Sequence, residues 1–433
     1  MDIATKGEHT TMALPPDTTQ QIYGTRAQPL WKNVHFLILF SGQAISSTGT
    51  QITEVTLPLM LLQLTHSPAQ AGLIAACSSV ALILFGLPAG ALVDRWNRKY
   101  VMIGSDTLRM LAIASIAIAL MLHRISFIQI ALVAFCDGTL SLFFSLAESS
   151  ALPQVVTEQQ LPDAISLDKT LDSTSTMVGP ALGPLLYGIG QSIPFLADAI
   201  STAISVISLL FVRTQFQAER IMTKQTRIWH DVWDGLTWLW QHSMLRFLAL
   251  LTFGLITPCY GYLFILYLQA QRFHATNAEI SLIIGCSGAG SFIGSLCAGR
   301  LYKRFGVANM ILWSTWIWAI TWLCYALAWN TFSLAVINAL CFIVVPIYMI
   351  VQYSCRLTLT PDHLRGRVNA AFRLIAFGSQ SLSMALTGLL LQLWGPIITV
   401  VLLFIPQFAM ASAVLFQWKR LRSLEEQQAQ EDK

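Results

Sequence analysis

Two long apolar runs, residues 69–93 and 100–122, flank a short charged hairpin, and a chain built this way is committed to crossing a membrane as helices. At about 1.5 Å per residue each run spans a bilayer, which sets Asp94, Arg95, Arg98 and Lys99 at its surface. Three basic residues in so short a loop place it on the cytoplasmic side. Gly86 and Gly90 lie four apart on the preceding helix, so that one face is stripped of side chains and a second helix can approach closely. By spacing alone the segment also reads as an ordinary charged turn between hydrophobic helices.

The pattern continues along the chain. Only 11% of residues are charged and 55% are hydrophobic, against roughly 25% charged in soluble domains, so soluble classes are excluded. Twelve spans are expected, near 34–64, 69–93, 100–122, 126–148, 164–189, 193–212, 244–269, 278–300, 307–328, 331–355, 367–393 and 396–417. Residues 1–33 are polar, carry no signal-peptide core, and read as a disordered cytoplasmic tail. With that tail inside, the outer loops hold only Arg124 and Arg272 among the basic residues, and both termini are expected in the cytoplasm. The net charge of +4 is therefore a matter of sidedness, and no nucleic-acid partner is expected. The eight cysteines form no C-x-x-C pair and the eight histidines show no ligand spacing. Neither a disulfide framework, a metal site nor a cofactor is indicated.

Residues 214–243 form the longest interior segment between spans and divide them six and six: an N-terminal lobe at 34–213, a C-terminal lobe at 244–417 and a tail at 418–433. Within the segment, Ile228, Val232, Leu236 and Leu239 share a stripe with Trp229, Trp233 and Trp240 alongside. That pattern fits an amphipathic helix at the inner interface, or a plain linker helix. The halves also echo one another. At an offset of 209 residues, SPAQAGLIAAC lies over TNAEISLIIGC and GALVDRWN over GRLYKRFG; at 203, EQQLPDAIS lies over PDHLRGRVN. Duplicated six-helix halves mark transporters that rock one lobe against the other.

Gly90, Asp94, Arg95, Arg98 and Lys99 match a known signature. They resemble the G-x-x-x-D-R-x-x-R-[RK] loop between helices two and three of major facilitator superfamily transporters, departing at Asn97; Lys303 replaces the acid in the second copy. In the fifth span Gly179, Pro180 and Gly183 resemble the G-P-x-x-G motif of the exporters of that superfamily, with Pro184 a departure. Taken by themselves, these glycines and prolines imply a kink and a close-packing face. With LPLMLLQLTHSP, SDTLRM, ALPQVV and LRGRVNAAFRL the resemblance covers residues 31–417 and is strongest to the macrolide-efflux-like and enterobactin-exporter-like branch. It implies an all-α membrane protein of twelve helices in two pseudo-symmetric lobes, a monomer in a bacterial inner membrane. The implied activity is proton-coupled antiport that exports a small lipophilic or amphiphilic compound. A nutrient importer or a lipid transporter would use the same fold.

Charges inside a bilayer are costly and call for a reason. The first span carries Gln43, Ser47, Gln51 and Glu54 on one face, and the fourth carries Asp137, Ser141, Ser145 and Glu148 at the same spacing. Two such stripes in one half imply a shared watery cavity. Glu54 and Asp137 are expected to bind protons or a cationic substrate there, or else to bond to neighbouring helices; Glu148 reads as an interface residue. Asp106 and Arg109 are expected to pair with each other or with the hairpin, and with it to form a latch holding one conformation. Asp198 reads as a helix-end acid and Arg373 as a snorkelling cation. No Walker loop, metal cluster or nucleophile elbow occurs, so the chain is not expected to be an enzyme.

Overall fold

The computed structural model describes residues 30, 33–157, 159–212, 228–361 and 364–431. Most of the expected N-terminal tail and residues 214–227 of the expected linker lie outside these. Among the described residues there is no strand, and the helices are α1 (Val34–Thr65), α2 (Pro68–Arg95), α3 (Arg98–Met121), α4 (Phe127–Val155), α5 (Leu161–Ile189) and α6 (Ile193–Phe211), then α7 (Ile228–Gln241), α8 (Ser243–Ile256), α9 (Tyr262–Arg272), α10 (Asn277–Cys324), α11 (Thr331–Leu359) and α12 (Arg365–Glu431).

The turns at the end of the bundle away from the charged hairpin are closed by local capping. Ser67 and Ser126 accept from the backbones of Gln70 and Gln129, and Thr276 with Glu279 forms a reciprocal capping box. His66, His123 and His274 take the left-handed conformation in the turns that follow α1, α3 and α9. At the hairpin end, Trp96 terminates α2 and the Asn97 carboxamide caps α3 by accepting from the Lys99 amide.

Among the described residues seven helices are long and apolar enough to cross a membrane, or eight if the bent pair α7 and α8 is one span. Two of the seven are double-length and turn back at a glycine of positive φ, α10 at Gly306 (φ 75°) and α12 at Gly395 (φ 70°). To reach the expected twelve passes, these two must each count twice, the more polar α1 and α5 be admitted, and α8 be joined to α9. The seventh expected span is interrupted between Ile256 and Tyr262, where Pro258 lacks a backbone donor. Hydroxyls of α12 close the gap: Ser379 lies 2.8 Å from Thr257 Oγ1, and Ser383 Oγ accepts from the Gly261 amide at 3.0 Å. The expected C-terminal tail is helical through Glu431, continuous with the last span.

The halves pack into two lobes that meet at the far end. A Cβ on Gly72 of α2 would fall on the Met384 carbonyl of α12 and 2.9 Å from the Gly388 Cα, so these backbones are in direct contact. Gly188 of α5 approaches Asn277 of α10, and Gln63 of α1 donates to the Tyr267 hydroxyl of α9 at 2.5 Å. The hairpin end is different. A Cβ at Gly86, Gly90, Gly299 or Gly366 would meet nothing within 4 Å, so the close approach expected at Gly86 and Gly90 is absent from this conformation. The far end is closed and the hairpin end open.

Candidate functional site

α1 and α4 present their polar stripes to one another as the sequence implies. Gln43, Ser47, Gln51, Ser141, Ser145 and Glu148 line a cavity of about 240 Å³ in the N-terminal lobe, and Gln43 Nε2 contacts Glu148 Oε2 at 3.5 Å. Glu148, expected as an interface residue, faces this cavity between α1 and α4. A smaller chamber of about 210 Å³, toward the far end, holds Glu54 and Asp137. The two spaces share Thr50 and Ser141. Glu54 is exposed to its chamber and in electrostatic range of Asp137. The outer wall is completed from the other lobe by Gln380 and Met384.

Between the two spaces stands Arg109. Its Nε donates to Asp137 Oδ1 at 2.9 Å, its Nη2 donates to Thr50 Oγ1 at 2.9 Å, and its Nη1 lies 3.5 Å from Asp106 Oδ1. Asp106 also accepts from Ser205 Oγ at 2.7 Å. Asp198, 1% exposed, lies within electrostatic range of the same guanidinium and accepts from Thr202. Of the two readings offered for Asp137, it takes the bond to a neighbouring helix, as the ion-pair partner of Arg109 on α3. Asp106 and Arg109 pair with each other, one of the two arrangements expected, and lie in the buried heart of the lobe, away from the hairpin. One expectation is corrected. Asp198, in the second turn of α6, is a member of this cluster and not a helix-end acid. One guanidinium among three carboxylates is a site where charge is conditional, since removing water from uncompensated ions costs several kcal/mol, of order 3–5 for a broken buried pair.

The hairpin residues make contacts inside their own lobe. Arg98 Nη1 donates to the Ser150 carbonyl at 2.9 Å and Lys99 Nζ to the Val212 carbonyl at 2.6 Å. Arg95 is exposed, and the Asp94 side chain lies outside the described residues. In α5, which stays helical through Pro180 and Pro184, a Cβ on Gly179 would press on Gln51 and one on Gly183 would lie 2.8 Å from Thr56 Oγ1. The Gly/Pro run is therefore the surface on which α5 lies against the α1 stripe. Arg373 is exposed, with its guanidinium 5.9 Å from the Phe377 ring.

One group of participants is absent from the residues singled out by sequence. The hairpin-side half of α5 carries Asp168, Lys169 and Asp172 into the N-lobe cavity, with Lys169 Nζ 2.9 Å from Asp172 and 3.4 Å from Asp168. Lys169 also borders a crevice of about 770 Å³ between α5 and α10, walled by Ser and Thr residues of both helices together with Tyr262, Phe292 and Phe342. The charges and hydroxyls of LPDAISLDKTLDSTST are the signal that could have found it, because they mark a water-facing helix before its Gly/Pro run begins.

Comparison with known proteins agrees with this geometry. The profile of a family described as transmembrane secretion effector matches residues 25–433. The chain is 27% identical over 407 residues to the multidrug efflux pump Tap of Mycolicibacterium fortuitum, covering 90% of this chain and 96% of that one. It is 26% identical over 272 residues to macrolide efflux protein A of Streptococcus pyogenes, covering 62% and 67%. A crystal structure of a point mutant of the nucleoside transporter NupG superimposes with a TM-score of 0.74 at 12% identity, over 88% of this chain and 99% of that one, a likeness of fold.

Proposed function

The chain belongs to the transmembrane secretion effector family of major facilitator transporters, and from that premise we propose that it exports small lipophilic or amphiphilic compounds in exchange for protons, by alternating access. The observation that carries this reading is the difference between the two ends. The lobes are sealed at Gly72, Gly388, Gln63 and Tyr267 and stand apart toward the hairpin, where the hydroxyl-lined crevice between α5 and α10 opens beside the N-lobe cavity. Closure at one end with opening at the other is what one member of a rocking pair requires. The basic loops support placing the hairpin end and both termini in the cytoplasm of a bacterial cell, so that substrate enters from inside. Lobes 34–213 and 244–417 are the moving bodies.

Glu54 is the exchangeable acid in this scheme. It faces its chamber with no cation within salt-bridge distance among the described residues, while Asp137 is held by Arg109. Gln380 and Met384 cover that chamber from the second lobe, so parting of the far end uncovers Glu54 to the outside. In the opposite state Gly90, Asp94, Arg95, Arg98 and Lys99 latch the hairpin end. Export in place of import is supported by the α5 surface of Gly179, Pro180, Gly183 and Pro184 against α1 and by the names of the relatives.

Expression in an efflux-deficient bacterium, scored against macrolides, dyes and siderophores, tests the substrate class, and flux into inverted vesicles tests direction. Resistance and proton-driven uptake into such vesicles are expected; uptake into right-side-out cells without efflux would mean import. Glu54→Gln should abolish dependence on the proton gradient, and Asp94→Asn should slow transport while leaving substrate binding intact.

A further inference from the structure

The bend between α7 and α8 carries a basic and aromatic rim that the transport cycle leaves unused. The two helices meet at 104°; with α8 crossing the bilayer, α7 runs along the membrane plane at the hairpin end. Its inner face is fixed by Gly235, which abuts the Arg367 backbone at the start of α12, and by Leu239, fully buried. Its outer face leaves Trp233 69% and Trp240 50% exposed. Indoles uncovered at this depth belong to the headgroup layer.

At the bend two arginines converge on adjoining atoms. Arg420, from the end of the last span, donates from Nη2 to Ser243 Oγ at 2.7 Å; Arg246 donates from Nη1 to the Trp240 carbonyl at 3.2 Å. Ser243 and Arg246 are three apart on α8 and share a face, and Lys419 is exposed beside Arg420. Among the described residues none of Arg246, Lys419 and Arg420 has a carboxylate within salt-bridge distance. Each guanidinium keeps further N–H donors beyond the one it uses.

We propose that this rim binds the headgroup of an anionic phospholipid in the hairpin-side leaflet, with Arg246 and Arg420 donating to its phosphodiester and Trp240 lying at the glycerol level. Charge complementarity selects the class. Three uncompensated cations favour a headgroup of net negative charge, and a choline headgroup would add a fourth cation beside them. Free phosphate would satisfy the arginines but leave the indoles bare. The site holds α7 to the C-terminal lobe whichever way substrate moves.

The test is native mass spectrometry of the full-length protein released from nanodiscs of mixed phosphatidylglycerol and phosphatidylcholine. Wild type should retain phosphatidylglycerol preferentially, and Arg246→Gln with Arg420→Gln should reduce that preference about tenfold. Arg300→Gln, equally exposed at the hairpin end but away from the bend, should leave it unchanged. Melting curves in detergent identify the double variant as folded. Equal retention of both lipids by wild type, undiminished preference in the double variant, or displacement of the lipid by inorganic phosphate would each overturn the proposal.

Discussion

At the centre of the N-terminal lobe α3 buries Asp106 and Arg109, whereas 209 residues further along the same positions of the second lobe are Thr315 and Trp318. Thr315 satisfies its hydroxyl on its own helix at the Ile311 carbonyl, and the Trp318 indole packs 5.7 Å from Tyr348, with Trp322 and Tyr325 fully buried close by. The same helical frame thus closes with an ion cluster in one copy and with aromatics in the other. Buried ion clusters are poor stabilisers, and apolar packing of similar volume serves as well or better. The charges of the first lobe are therefore not explained by stability, and the proposed function gives them their use. The hairpins differ in the same way: Asn97 turns the first by capping α3 at φ −71°, while its counterpart Gly306 turns the second at φ 75°, and the acid Asp94 becomes Lys303.

The largest expected effect lies at Arg109. Arg109→Met strands Asp106, Asp137 and Asp198 and should cost about 3–5 kcal/mol of stability. Trp318→Ala should cost a similar ~3–5 kcal/mol through its cavity, so the size of the loss does not separate the lobes. Rescue does. Adding Asp137→Asn should restore much of the melting temperature of Arg109→Met and none of that of Trp318→Ala; equal rescue of both would erase the distinction drawn here.

Next in size is the sealed far end. Gly72→Leu puts a side chain where the Gly388 backbone lies and should disfavour the closed state by about 1–3 kcal/mol, read as faster thiol labelling in a Met384→Cys background. An unchanged labelling rate would mean that the contact is not a seal. Smaller is Tyr267→Phe, which removes the bond from Gln63 and should shift the same labelling by about 0.5–1.5 kcal/mol. The hairpin end offers the control, since Gly86→Ala meets open space there and should leave the closed far end undisturbed.

Most of the frame could be read from the chain. Apolar runs, the charged hairpin and the duplicated segments led to the helical transporter fold, and the α1 and α4 stripes do face one another, across two adjoining spaces. What could not be read was pairing across helices. Arg109 and Asp137 are 28 residues apart on separate helices, and no periodicity in either says that one lies opposite the other. The same holds for Gln63 and Tyr267, which come from different lobes. Counting from the predicted span end misplaces Asp198, because its partners are set by the packing of α6 against α1 and α3. The break in the seventh span had a local sign in Pro258 and Gly261, but the hydroxyls that close it come from α12.

The most direct measurement is a pair of distances followed together by double electron–electron resonance. One pair of spin labels would replace His123 and Trp329, exposed in far-end loops of the two lobes; the other would replace Trp96 and Lys303 on the two hairpins. Rocking of two rigid lobes predicts that, as an exported compound is added, the far-end distance lengthens and the hairpin distance shortens in the same fraction of molecules. A change at one end alone, or both distances lengthening together, would contradict it.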